Sequence, residues 1–96
     1  MPFQVTLTPS AEADLDYFKQ FEQRVIVDAA KRYLRNDADV ESQHRKKLRP
    51  NPLAPWELRS GKYRMFYEVV DATAVKILAI GYKEHNDLVI RGRRVE

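Results

Sequence analysis

One stretch of this chain, residues 55 to 70 (PWELRSGKYRMFYEVV), leaves little freedom in how it folds. Tyr63, Met65, Tyr67 and Val69 alternate with Arg64, Phe66, Glu68 and Val70, the two-residue period of a strand. Together with Trp56 to Arg59 this predicts two strands joined by a tight turn at Ser60-Gly61, apolar on one face. Arg59, Lys62 and Arg64 cluster at or beside the turn. A strand pair with cations on its rim is a candidate anion site, and the rest of the chain must say which anion.

The charge distribution points towards a polyanion. Residues 1–43 carry five lysines and arginines against eight carboxylates, a net of −3, whereas residues 44–64 carry seven against one, a net of +6. A basic segment of that density favours nucleic acid over small anions, with a solvated basic loop as the plainer reading. The chain has 96 residues and no cysteine, so it reads as one domain, 1–96, without disulfides, cysteine nucleophiles or cysteine-based zinc sites. Neither a membrane-length apolar run nor a basic segment followed by an apolar one at the amino end is present, which points to a cytoplasmic chain.

Phe3 to Leu7 alternates apolar and polar and predicts a first strand. Thr8-Pro9-Ser10 is a helix start: Thr8 or Ser10 caps, Pro9 suits the first turn, and Glu12, Asp14 and Asp16 suit the positive end of the helix. Ala11, Leu15 and Phe18 form one buried stripe. A break is expected at Phe21-Glu22, followed by an amphipathic helix to about Arg35 with Val25, Ile26, Ala29, Ala30, Tyr33 and Leu34 inward. Residues 38–54 show no period, and their prolines predict an exposed, stiff connection. Asp71-Ala72-Thr73 is a hairpin turn, Ala74 to Tyr82 a central strand, and Leu88-Val89-Ile90 a short edge strand before a basic end. The predicted fold is α+β: a helical hairpin packed on a small, mostly antiparallel sheet, in the order βααβββ with a short last strand.

His44 and His85 lie far apart without metal-ligand spacing, no glycine loop cradles phosphate, and no serine sits in a nucleophile elbow, so neither a metal nor a cofactor is expected. What remains is a set of cations and proton carriers. Arg59, Lys62 and Arg64 come from the hairpin, Lys83 from the end of the next strand, and Glu84 and His85 follow it. RNA can be cut without metal when one group takes the 2′-hydroxyl proton, another protonates the departing 5′-oxygen and cations hold the phosphate charge. Arginine suits the phosphate, His85 suits proton transfer near neutral pH, and Glu57 or Glu84 suits the base. The structural alternatives are solvated turn charges for Arg59 and Lys62, an ion pair of Arg64 with Glu68 or Glu84, and a surface role for His85. Tyr63, Tyr67 and Tyr82 read as core or sheet-face residues, an exposed tyrosine being able to stack on a base, and Trp56 as packing on the helices.

The order of elements, with LRSGKYRMFYEVVD and VKILAIGYKEHNDL, resembles the RelE/ParE toxin superfamily of type II toxin–antitoxin modules, RelE-like branch favoured. The matching residues are Leu58-Arg59, Gly61, Tyr63-Arg64 and Phe66-Tyr67, then Gly81, Lys83 and Glu84-His85. The resemblance implies one of two activities: RelE-like members cut mRNA in the decoding site of the ribosome, and ParE-like members poison DNA gyrase without hydrolysis. On the first, Arg64 matches the arginine on the scissile phosphate and Lys83 a second cationic position, with Arg59, Glu57, Glu84 and His85 completing a candidate catalytic set. Arg45, Lys46, Lys47, Arg49 and Lys62 would then dock on RNA of the ribosome. The chain departs from the nucleases in carrying Pro55 and Glu57 where they have a lysine pair, and Val89 or Ile90 where they have a carboxyl-terminal tyrosine. The resemblance also implies a cognate antitoxin as partner, with gyrase or a purely antitoxin-binding role as alternatives to RNA cleavage.

Overall fold

The structure, a computed structural model, describes residues 2–95. Its elements are β1 (Gln4–Leu7), α1 (Pro9–Asp16), α2 (Gln20–Leu34), β2 (Arg45–Lys47), β3 (Trp56–Ser60), β4 (Tyr63–Asp71), β5 (Ala74–Glu84), β6 (Asp87–Ile90) and β7 (Arg93–Val95). The strands form one seven-stranded sheet in the order β2-β3-β4-β5-β6-β7, with β1 pairing β5 in parallel and the other pairs antiparallel. The two helices cover one face, as the sequence predicts. No helix among the described residues is long and apolar enough to cross a membrane.

Local chemistry sets the boundaries. The Thr8 hydroxyl accepts from the Ala11 backbone N–H at 3.1 Å, and Pro9 opens α1. The break between the helices falls at residues 17–19, three to four residues before the expected Phe21-Glu22. Phe18 decides this by meeting Tyr63 and Tyr82 edge to face, which turns the chain inward there. Val25, expected inward, lies on the outer side of α2 at 45% exposed, as does Phe21 at 64%. Ile26, Ala29, Ala30 and Leu34 form the buried stripe and meet Leu58, Met65, Tyr67, Val75, Ile77 and Ile80 from the sheet.

Two further expectations are corrected. Residues 38–54 contain a strand, β2, which pairs with β3 through Arg45↔Leu58, Lys46↔Glu57 and Lys47↔Trp56. Its three residues carry no apolar alternation, and what holds it is the unpaired edge of β3 rather than any pattern of its own. The Leu88–Ile90 strand is not the edge, because β7 pairs beyond it. Arg91 and Gly92 make the intervening turn, both at positive φ (50° and 74°), the geometry that matches the twist of a two-residue hairpin.

Asp14, read from the sequence as suiting the positive end of the helix, is 1% exposed. Its Oδ2 accepts from the Ile80 N–H at 3.0 Å, and its Oδ1 lies 2.6 Å from Arg91 Nε. On that edge β5 pairs with β1 as far as Ile77 and with β6 only from Tyr82, so the Ile80 N–H has no strand partner and a helix carboxylate serves instead.

On the helix side of the β3–β4 turn, the Tyr63 hydroxyl donates to Glu22 Oε2 at 2.8 Å and Lys62 Nζ lies 3.6 Å from the same oxygen. The Tyr63 bond, ahead of partial burial, which opposes it, and of the Lys62 charge, holds Glu22 below its ordinary value. Burial first, then Glu22, pushes Tyr63 up to about 12. A depressed carboxylate contributes stability above its unfolded pKa and loses it as pH falls through the folded one. Glu22→Gln is therefore expected to lower Tm at neutral pH, with the gap to wild type closing as pH is taken below 4.5. Thermal unfolding across an acid series checks this; a gap that persists at low pH would contradict it.

Candidate active site

The pleat of β3, β4 and β5 sorts their side chains. Trp56, Leu58, Tyr63, Met65 and Tyr67 face the helices, so the residues between them face the opposite, helix-free side. That open face carries Glu57 and Arg59 from β3 and Arg64 and Phe66 from β4, with Glu57↔Phe66 and Arg59↔Arg64 directly paired. Lys46 stands opposite Glu57. Gly81 pairs with Arg64, which puts Lys83 on the same face one step along β5.

Glu57 is 6% exposed, and Arg59 Nε donates to its Oε1 at 2.5 Å. A carboxylate that deep has the Arg59 guanidinium as its partner in place of water. Arg64 curls towards the turn, its Nη1 donating to the Gly61 carbonyl at 2.7 Å and the Tyr63 carbonyl at 2.9 Å. Its Nε is shielded from solvent and has no hydrogen-bond partner among the described residues. Burial pulls the Arg64 pKa down, while Glu57 pulls it up and Arg59 down, so the Glu57 charge offsets the repulsion between two arginines across one ladder rung. A buried donor without an acceptor is unfavourable, and an entering anionic oxygen would relieve it.

Beside this array lies a groove of about 360 Å³, lined among others by Glu57, Phe66, Leu88, Val95 and Arg49. Its wall is the 48–54 segment, whose Leu48, Leu53 and Ala54 form a second apolar cluster with Phe66, Ala79, Leu88 and Ile90. Asn51 fixes that wall. Its Oδ1 accepts from the Leu53 and Ala54 N–H groups at 2.8 and 3.1 Å, and its Nδ2 donates to the Arg49 and Ala54 carbonyls at 2.7 and 2.9 Å. The sequence reading passed over Asn51, although an asparagine between two prolines is the signal for such a side-chain-closed turn.

Of the candidate catalytic residues, Glu57, Arg59, Arg64 and Lys83 share the open face. Glu84 falls on the other face by strand alternation, level with Tyr82. His85 sits in the β5–β6 turn at φ 51°, followed by Asn86 at 70°, four residues and roughly 13 Å of strand beyond the Arg64 row. Lys83 Nζ reaches the Asn86 carbonyl at 3.5 Å. Among the candidate RNA-docking residues, Arg49 lines the groove and Lys46 stands opposite Glu57 on the open face, whereas Lys47, exposed at the end of β2, pairs with Trp56 and so lies on the other face. Arg45 is tied to the Tyr33 and Val40 carbonyls at 3.1 and 2.8 Å, and Lys62 lies against Glu22 and over the Tyr63 and Tyr82 rings. Neither faces the groove. His44 stacks on Tyr33 with centroids 4.2 Å apart and bonds the Arg59 carbonyl, which makes it part of the scaffold.

The turn position gives His85 a test. A non-glycine residue at positive φ carries about 1 kcal/mol of strain that glycine lacks. His85→Gly is expected to raise Tm by roughly 4 °C or more while leaving the open face untouched. A loss of stability would show that the imidazole makes a contact worth more than the strain.

The comparisons with known proteins agree on the family. Residues 5–86 match the family model described as ParE toxin of type II toxin-antitoxin system, parDE. A solved structure, the toxin–antitoxin complex RelBE2 from Mycobacterium tuberculosis, contains a chain with 26% sequence identity and a TM-score of 0.67, over 86% of this chain and 93% of that one. No curated protein sequence matches. With the helical hairpin on one sheet face and the arginine ladder on the other, the chain belongs to the ParE toxin family of type II toxin–antitoxin systems, within the RelE/ParE superfamily.

Proposed function

We propose that the open face binds the RNA backbone and that the toxin arrests translation by cutting mRNA on the ribosome. The observation that carries this reading is the buried Glu57 carboxylate held by Arg59, with Arg64 across the ladder and its Nε unpartnered, at the edge of a preformed groove. Arg64 and Arg59 hold the scissile phosphate. Glu57 takes the proton of the 2′-hydroxyl, whose oxygen forms a bond to phosphorus as the bond to the 5′-oxygen breaks. Lys46, opposite Glu57, supplies the proton to that departing oxygen. The products are a 2′,3′-cyclic phosphate and a 5′-hydroxyl, with no metal in the balance. Lys83 and Arg49 contribute non-specific phosphate attraction, which fixes position without reading sequence.

A second reading has its own support: the matched family model is that of a ParE toxin, for which the superfamily resemblance implies inhibition of DNA gyrase without hydrolysis. Under either reading the partner is a cognate antitoxin, in keeping with the complex that the RelBE2 relative forms. Primer extension on mRNA in purified translating ribosomes separates the two. Cleavage supports the first; intact mRNA with blocked supercoiling by gyrase supports the second and rejects the first.

A further inference from the structure

At the β6–β7 edge of the sheet, where the end of α1 meets the hairpin turn, lies a second cavity, of about 630 Å³, lined by Tyr17, Ile90, Arg91, Arg93 and Val95. Val95 also lines the Glu57 groove, so β7 borders both spaces. We infer that this cavity is an accessory subsite for a nucleotide of single-stranded RNA, the base lying on Tyr17 and its phosphate between Arg91 and Arg93.

Three observations carry the assignment. Tyr17 is 62% exposed, and its ring lies over the Gly92 backbone, where an added Cβ would come within 2.6 Å of the hydroxyl and 3.3 Å of Cζ. Arg91 is anchored through Nε to the buried Asp14, at 2.6 Å, while its side chain stays 47% exposed, so the guanidinium is held in place at a cavity wall. Arg93 pairs with Ile90 on the open face and is exposed, whereas Arg94 points the other way, 3.6 Å from Asp87. An exposed aromatic face with two guanidiniums at its side matches how single strands are held: stacking that tolerates any base, and cations along the backbone. An acidic peptide would use the arginines but gain little from the ring.

The inference builds on the RNA reading of the open face, and the test separates the two. Binding of a labelled single-stranded RNA oligonucleotide is followed by fluorescence anisotropy over a salt series, alongside ribosomal cleavage. Tyr17→Ala is expected to weaken binding about five-fold or more with the salt slope unchanged, and Tyr17→Trp to retain it. Arg93→Ala is expected to weaken binding and reduce the slope by about 0.7. Both side chains are exposed, and unchanged thermal unfolding confirms that the variants fold. The subsite is overturned if wild type binds no RNA, if both variants bind as wild type does, or if Tyr17→Ala weakens only binding of the antitoxin. Variant-sensitive RNA binding without mRNA cleavage upholds the subsite and rejects the nuclease reading. Cleavage with variant-insensitive binding does the reverse.

Discussion

Arg64→Ala is expected to lower ribosomal mRNA cleavage by about 10²- to 10³-fold, the usual loss when one charge-stabilising donor is removed from a transition state. Among the described residues, Arg64 is the one open-face arginine whose Nε is desolvated without an acceptor. Arg59 spends its own Nε on Glu57. A phosphate oxygen reaching Arg64 therefore meets a donor that water does not already occupy, and the gain on binding is correspondingly large. Arg64→Lys is expected to recover only part of the loss, because an ammonium cannot span the phosphate and the turn carbonyls together. The fold should tolerate either change, since the bonds given up are to two carbonyls at the partly exposed β3–β4 turn. Cleavage by Arg64→Ala at the wild-type rate would sink the nuclease reading.

The largest effect on stability is expected at Gly81. A Cβ there would lie 2.4 Å from the Val89 carbonyl oxygen and 2.8 Å from Ile90 Cγ1. The first obstacle is backbone, which cannot rotate aside, so Gly81→Ala must separate β5 from β6. We expect a loss of about 3 kcal/mol, the upper range for overpacking, and a fall in Tm of roughly 12 °C or more. Gly61→Ala is the contrast. Nothing lies within 4 Å of its Cβ position, and only its φ of 57° opposes the substitution, so about 1 kcal/mol is expected. Equal losses at the two sites, read by urea or thermal unfolding, would show that strand contact at Gly81 is not the cause. Because Leu88 and Val95 follow β6, Gly81→Ala should also widen the groove beside Glu57.

The sequence alone determined the elements whose signal is local. The alternation from Tyr63 to Val70, the Thr8-Pro9 start of α1 and the apolar run from Ala74 each name a structure within a few residues, because pleat, cap and burial act at that range. They also bring Arg59 and Arg64 onto one face, since strand parity follows from the hairpin turn. Other features had no local signal. β2 exists because β3 has an edge to fill, and Asp14 is buried because β5 changes partners between Ile77 and Tyr82. Glu84 and His85 follow Lys83 by one and two residues, yet alternation and a left-handed turn take them away from Arg64. What only the tertiary structure decided is which charges act together. Lys62 leaves the hairpin rim for Glu22, Arg45 goes to carbonyls at the end of α2 and in the following loop, and Glu57 settles beneath Arg59. Sequence fixes charge and period within a strand, but the partner of a long side chain depends on what another element brings within its reach.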